Sequence, residues 1–280
     1  MVIRALLQRT AAALRGGGME NAVFEAHLIV RTVLGLSALE LVLHGGDAVA
    51  ERDAARVGEA AERVLAGEPV QYVLGTQEFM SLEFRVTPAV LIPRADTETL
   101  VEHVLEQYRN RGLLALDIGT GSGCIALSIA HYNRRAYVRG VDISAAALEV
   151  AEQNAKALQL EERAAFEQVD IMRDVFFGQY DLIVSNPPYI ETDVIPTLER
   201  NVREFEPRAA LDGGPDGLDF YRRIVQIAPV HLHKNGMLAF EVGHTQARAV
   251  ADLMEPGFCG IQIIKDLCGV ERVVSGRKRI

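Results

Sequence analysis

The tetrapeptide Asn186-Pro187-Pro188-Tyr189 follows directly on the apolar run Tyr180-Asp-Leu-Ile-Val-Ser185. It places a carboxamide, rigid main-chain carbonyls and an aromatic ring side by side. Those groups suit the capture of a planar amide or aromatic amine, whose nitrogen is a poor nucleophile because its lone pair is delocalised. The Asn186 side-chain oxygen and the Pro187 carbonyl can accept the two N–H bonds of such a nitrogen. Held in that way, the nitrogen faces an activated carbon, and charge developing on it is stabilised. Tyr189 is expected to lie flat against the planar group. The plain alternative is a strand terminator, since neither Pro187 nor Pro188 can donate to a ladder and each fixes its own φ.

The activated carbon calls for a donor, and the stretch Asp117-Ile-Gly119-Thr120-Gly121-Ser122-Gly123 offers a place to hold one. Glycines after a strand allow a tight turn and let backbone N–H groups approach a ligand closely. A dinucleotide fingerprint would read Gly-x-Gly-x-x-Gly; here the third glycine comes one residue early, which departs from pyrophosphate binding. Asp142 ends the next strand, about 20 residues on, where an acid that grips ribose hydroxyls belongs. It can equally cap the helix that follows. Asp170 and Ile171 end the third strand, placed to touch an adenine. Asp117 either receives a ligand ammonium or braces the loop. The spacing suits S-adenosylmethionine, with S-adenosylhomocysteine as product, better than a nicotinamide.

These residues need a frame. From Leu113 onward strand and helix alternate with the spacing of βαβ units, which predicts a doubly wound, seven-stranded, mostly parallel sheet. The predicted strands are Leu113–Asp117, Tyr137–Val141, Ala165–Val169, Asp181–Ser185, Met237–Val242, Phe258–Lys265 and Glu271–Ser275, the last antiparallel. A helix is expected to start near Ser122, another over Ser144–Leu158. In such sheets ligands bind at the carboxyl ends of the strands. Asn186, Asp142 and the glycine loop all fall there.

Ahead of that domain, residues 1–66 read as a small helical bundle. The first stripe is Ile3, Leu6, Leu7, Thr10, Ala11 and Leu14, ended by Gly16-Gly17-Gly18. A transit peptide is the other reading of this acid-free start. Asn21 is the expected N-cap of a second helix with the stripe Val23, Phe24, Ala26, His27, Val30 and Leu34. Ser37 opens a third, and Asp47–Ala66 forms a fourth. Residues 67–95 are expected to join the domains, with a β-hairpin over Tyr72–Val86. Asp96 or Thr97 is then expected to cap a helix, placing the catalytic domain at 96–280.

Composition narrows the function. With Lys+Arg 29 against Asp+Glu 38 the net charge is −9, which argues against a surface built to neutralise phosphates. Direct nucleic-acid binding is not expected. Cys124, Cys259 and Cys268 are widely spaced, with no Cys-x-x-Cys pair. That pattern predicts neither a zinc site nor a disulfide framework and fits a reducing, cytoplasmic setting. No run is long enough to span a membrane.

Asn-Pro-Pro-Tyr behind such a loop resembles the amino-group methyltransferases, including those that act on adenine in DNA. The remaining motifs narrow the likeness to the HemK-type protein-(glutamine-N5) methyltransferases. They are Glu68-Pro-Val-Gln-Tyr72, Leu91-Ile-Pro-Arg-Ala-Asp-Thr-Glu98, Glu206-Pro-Arg-Ala-Ala-Leu-Asp-Gly-Gly214 and Glu241-Val-Gly243. The resemblance spans nearly the whole chain. It implies methylation of the glutamine in the Gly-Gly-Gln motif of class I peptide-chain release factors, with the helical front domain gripping the factor; a monomer is expected. It assigns cofactor contacts to Gly119 through Gly123, Asp142, Ile171 and Asn186, and glutamine binding to Asn186 through Tyr189. Ala95 departs from the family's usual second proline, and Ile171 from the aromatic that some members carry. A nucleic-acid amino-group methyltransferase is the alternative.

Overall fold

The computed structural model describes residues 1–174 and 178–279. Contacts divide the chain into two compact units, Met1–Thr76 with Glu199–Phe205, and Gln77–Leu198 with Glu206–Ile280. These boundaries differ from those read off the sequence. The expected joint, 67–95, is divided: residues through Thr76 group with the first unit and the rest with the second, and a short segment from the second half of the chain groups with the first.

The first unit is helical: α1 (Ile3–Gly16), α2 (Ala22–Leu34), α3 (Ala38–Leu43), α4 (Glu51–Leu65) and α5 (Val70–Leu74). Helix α1 buries Ile3, Leu6, Thr10 and Leu14, and the Thr10 hydroxyl donates to the Leu6 carbonyl, so its one polar member is satisfied. Ser37 forms a capping box with Glu40 at the start of α3. Asn21 precedes α2 but makes no side-chain cap. The face of α2 also differs from the expected stripe. Ala22, Ala26, Ile29 and Val30 are buried, whereas Val23 and Phe24 point outward. Positions spaced by three and four share a face, and the buried set keeps that spacing. Tyr72 lies in α5 rather than in a strand, because Glu68-Pro69 opens a last helical turn before Gly75 ends it in the left-handed region.

A hairpin comes next, β1 (Thr76–Phe79) and β2 (Leu82–Arg85), all of it but Thr76 in the second unit. Met80 and Ser81 both take positive φ at its tip, as the twist of a two-residue hairpin demands. Helix α6 (Ala95–Gln107) follows, with Arg94 rather than Asp96 or Thr97 at its N-cap; Thr97 is buried in the first turn. Among the described residues the main sheet has seven strands: β3 (Leu113–Ile118), β4 (Ala136–Asp142), β5 (Ala164–Gln168), β6 (Tyr180–Ser185), β7 (Leu232–Glu241), β8 (Phe258–Lys265) and β9 (Glu271–Lys278). Their order is β5-β4-β3-β6-β7-β9-β8, parallel except for β9. The helices are α7 (Cys124–Tyr132), α8 (Ala145–Ala157), α9 (Arg200–Phe205), α10 (Asp219–His231) and α11 (Ala247–Met254); α9 is the helix grouped with the first unit.

Each face of the sheet has its own core. Leu100, Leu127, Leu182 and Val184 pack on one side, while Leu116, Ile183, Tyr221 and Phe240 pack on the other. Strand β6 serves both, which is why it reads as an unbroken apolar run. Chain order reverses between β3 and β6, and a crevice opens at such a switch point. Leu182 is fully buried. Leu182→Ala should therefore destabilise the chain by about 2–5 kcal/mol in denaturant unfolding; a loss below about 1 kcal/mol would contradict this packing.

Candidate active site

The crevice at the switch point is a cavity of about 440 Å³, within the range that small-ligand sites occupy. Its walls include Gly119, Thr120, Gly121, Ser122, Asp142, Asp170, Ile171, Asn186, Pro187 and Pro188. Residues from four parallel strand ends, far apart in the chain, thus share one hollow. Asp117, Gly123 and Tyr189 do not reach its wall.

The glycine loop is shaped from behind. Gly119, Gly121 and Gly123 all have positive φ, which side chains strain to adopt. The amides of Gly119 and Thr120 donate to the Val141 carbonyl at 2.8 and 3.0 Å, pinning the loop to the neighbouring strand. Helix α7 starts at Cys124 behind Gly123 at its N-cap, later than the sequence suggests. Asp117 sits under this loop, fully buried, and accepts from the Thr120 hydroxyl at 2.7 Å. Burial pushes its carboxyl up to about 7, against the pull of that bond. Of its two sequence readings the geometry favours the brace over the ammonium receptor.

Asp142 reaches into the cavity between loop and helix. One carboxylate oxygen accepts from the Gly121 amide and the other from the Ser144 amide, each at 2.9 Å. Each oxygen keeps a further acceptor site for a ligand hydroxyl. Burial raises its pKa, and these backbone bonds oppose the rise. Ser144, not Asp142, caps α8, accepting from the Ala147 amide. Asp170 holds the Met172 amide at 2.9 Å. Ile171 lies nearby, buried, with its carbonyl taken by Arg223.

At the other end, the Asn186 amide nitrogen donates to the Thr97 hydroxyl at 3.3 Å, which turns its nitrogen away from an incoming donor and leaves Oδ1 for it. The turn after Asn186 is clamped by a second loop. Ile190 donates to the Leu211 carbonyl, and Gly213 donates back to Ile190. A Cβ at Gly213 would lie 2.7 Å from the Tyr189 Cα, so only glycine permits this approach. Tyr189 is partly buried and packs against the core cluster that contains Tyr221 and Phe240, off the cavity wall, and burial pushes its phenol up to about 12. Its carbonyl is held by Gln246. Tyr189 stiffens the turn from behind.

Several wall residues carry no obvious mark in the sequence. Thr97 reads as a helix cap, yet it partners Asn186. Pro207, Ala209, Ala210 and Asp212 close one side. Arg94, also on the wall, pairs with buried Glu206. The tight run Leu91–Glu98 and the run Glu206–Gly214 were the available signals, but only the fold brings them together.

The site and fold define a class, the Rossmann-like methyltransferases. The family model described as "Methyltransferase small domain" matches residues 94–202, and "PrmC N-terminal domain" matches residues 5–75. A solved methyltransferase from Pyrococcus furiosus shares the fold at TM-score 0.53 and 18% identity, over 82% of this chain and 100% of that one. Closer relatives settle the family. A release factor glutamine methyltransferase of Moorella thermoacetica is 43% identical over 100% of this chain and 99% of its own. Another, from Geobacter sulfurreducens, is 43% identical over 98% of this chain and 96% of its own. The chain belongs to the release factor glutamine methyltransferases.

Proposed function

We propose that this chain transfers a methyl group from S-adenosylmethionine to the side-chain amide nitrogen of the glutamine in the Gly-Gly-Gln motif of peptide-chain release factors. The observation that carries the reading is Asn186, on the wall of the switch-point cavity with its amide nitrogen tied to Thr97. When bound, the cofactor supplies a methyl carbon activated by an adjoining sulfonium.

The residues present fit that group. Asp142 has acceptor capacity left for ribose hydroxyls, the glycine loop keeps the near wall free of side chains, and Ile171 offers an apolar face for the adenine. Asn186 Oδ1 and the Pro187 carbonyl each accept one N–H of the glutamine amide, which holds the nitrogen in line and favours positive charge on it. The amide becomes strongly acidic once it is alkylated, so its proton can pass to water without a dedicated base. In the first unit, α2 exposes Val23 and Phe24, and α3 exposes Leu39, Val42 and Leu43, apolar side chains available to dock a protein substrate. Among the described residues no helix is long and apolar enough to cross a membrane.

Incubation with labelled donor and a release factor, followed by peptide mass mapping, tests the proposal. One methyl on the Gly-Gly-Gln glutamine is the expected result. A Gly-Gly-Gln peptide without label, or label in nucleic acid instead, overturns it.

A further inference from the structure

We infer that Glu241 is a positioning residue: from behind the cavity wall its carboxylate, with Thr97, holds the Asn186 carboxamide nitrogen-inward and so dedicates Oδ1 to the acceptor. The inference rests on the acceptor role proposed for Asn186.

The register makes the juxtaposition. Phe240 lies opposite Ser185 in the parallel β6–β7 ladder, so the next residues, Glu241 and Asn186, leave their strands level with one another. Glu241 is 2% exposed and is not part of the cavity wall, whereas Thr97 and Asn186 are. The side chains of Thr97 and Asn186 act on its carboxyl as hydrogen-bond donors, and Oε2 has no partner within hydrogen-bond distance among the described residues. An unsatisfied buried acid is costly to keep for stability alone.

Its chemistry supplies a reason. The two ends of an asparagine amide are nearly isosteric, so packing alone does not decide which end faces the substrate. A flipped Asn186 would point N–H donors at the N–H donors of the acceptor. An ionised carboxylate accepts only. Opposite it, Thr97 must donate toward Glu241 and keep its lone pair for the Asn186 nitrogen, as the 3.3 Å bond requires. The chain of bonds then runs one way, and Oδ1 is left for the cavity. Protonation of Glu241 frees Thr97 to turn its hydroxyl, and the direction is lost.

Burial pushes the Glu241 carboxyl up to about 7, opposed by the Thr97 bond and by Arg272. The other titratable groups around it are Asp96 on α6, Cys124 on α7, Tyr221 on α10, and Tyr189 after β6. Arg272 on β9 is shared with Asp96 at 2.7 Å and Asp266 at 3.1 Å, so it does not fully neutralise Glu241. Since the ionised form is the active one, turnover should fall as pH drops through about 7.

The test compares wild type, Glu241→Gln, Thr97→Val and Thr97→Ser, with the release factor as acceptor and saturating donor, from acid to alkaline pH. Glu241→Gln should lower kcat about 10- to 100-fold, as loss of an orienting partner typically does, and remove the acid limb. Donor Kd should stay within about twofold of wild type, because Glu241 does not reach the donor pocket wall. Thr97→Val should lower kcat, and Thr97→Ser, which keeps the hydroxyl, should restore it. A Glu241→Gln enzyme with wild-type kcat and an unchanged acid limb overturns the inference. If that variant melts early, the Thr97 pair decides: equal activity of the Val and Ser forms overturns it. Asn186→Ala separates the two levels, for near-normal turnover there removes the reading of Asn186 itself, whereas a dead Asn186→Ala beside an unaffected Glu241→Gln removes only this inference.

Discussion

Asn186→Ala should lower kcat about 10²- to 10³-fold, which is about 2.7–4 kcal/mol of lost transition-state stabilisation, the usual effect of removing one preorganised polar partner. The side chain has little structural work to lose. Among the described residues it meets only Thr97, at 3.3 Å, and Glu241, and the turn it begins is held independently by Ile190, Leu211 and Gly213. Unfolding should therefore change little, and donor affinity should fall far less than turnover. Steady-state kinetics on a release factor, with calorimetry for the donor, separates these quantities. Should turnover stay within about fivefold of wild type, Asn186 does not position the acceptor.

Asp142→Ala should act on the donor instead. Two hydrogen bonds from ribose hydroxyls to a carboxylate contribute about 1.5–3 kcal/mol each, so Kd should rise at least about 10²-fold. The amides of Gly121 and Ser144 lose their partner as well, which loosens the loop and adds to the loss. Helix α8 keeps its start, because Ser144 caps it. The pH dependence has a definite sign. The ionised carboxylate is the better acceptor, and burial raises the Asp142 pKa. Wild-type affinity should consequently weaken on acidification at higher pH than for an exposed aspartate, and the variant should lack that limb. Calorimetric titration of donor at two pH values measures both; an unchanged Kd in Asp142→Ala would remove the ribose assignment.

Much of this protein is written locally. The apolar run before Asn186 specifies a strand buried on both faces, and Pro187-Pro188 ends it whatever lies around it. Positive-φ glycines make the 119–123 turn from within, and the alternation from Leu113 dictates a parallel sheet. The order of motifs along the chain was enough to bring the glycine loop, Asp142, Asp170 and Asn186 to one edge, since parallel strands put all their carboxyl ends on the same side.

What the chain order does not carry is which neighbours stand behind those residues. Thr97 reads as a helix cap and becomes the partner of Asn186; Tyr189 reads as a stacking platform and packs, partly buried, against the core; Asp117 reads as either a ligand group or a brace and lies buried beneath the loop. Each outcome depends on a side chain's surroundings, which come from segments up to a hundred residues away, and local propensity is silent about them. The same holds for Glu241. Only the register of β7 on β6 brings it level with Asn186, because a strand's pattern specifies which face is buried but not which residue of another strand it will stand beside.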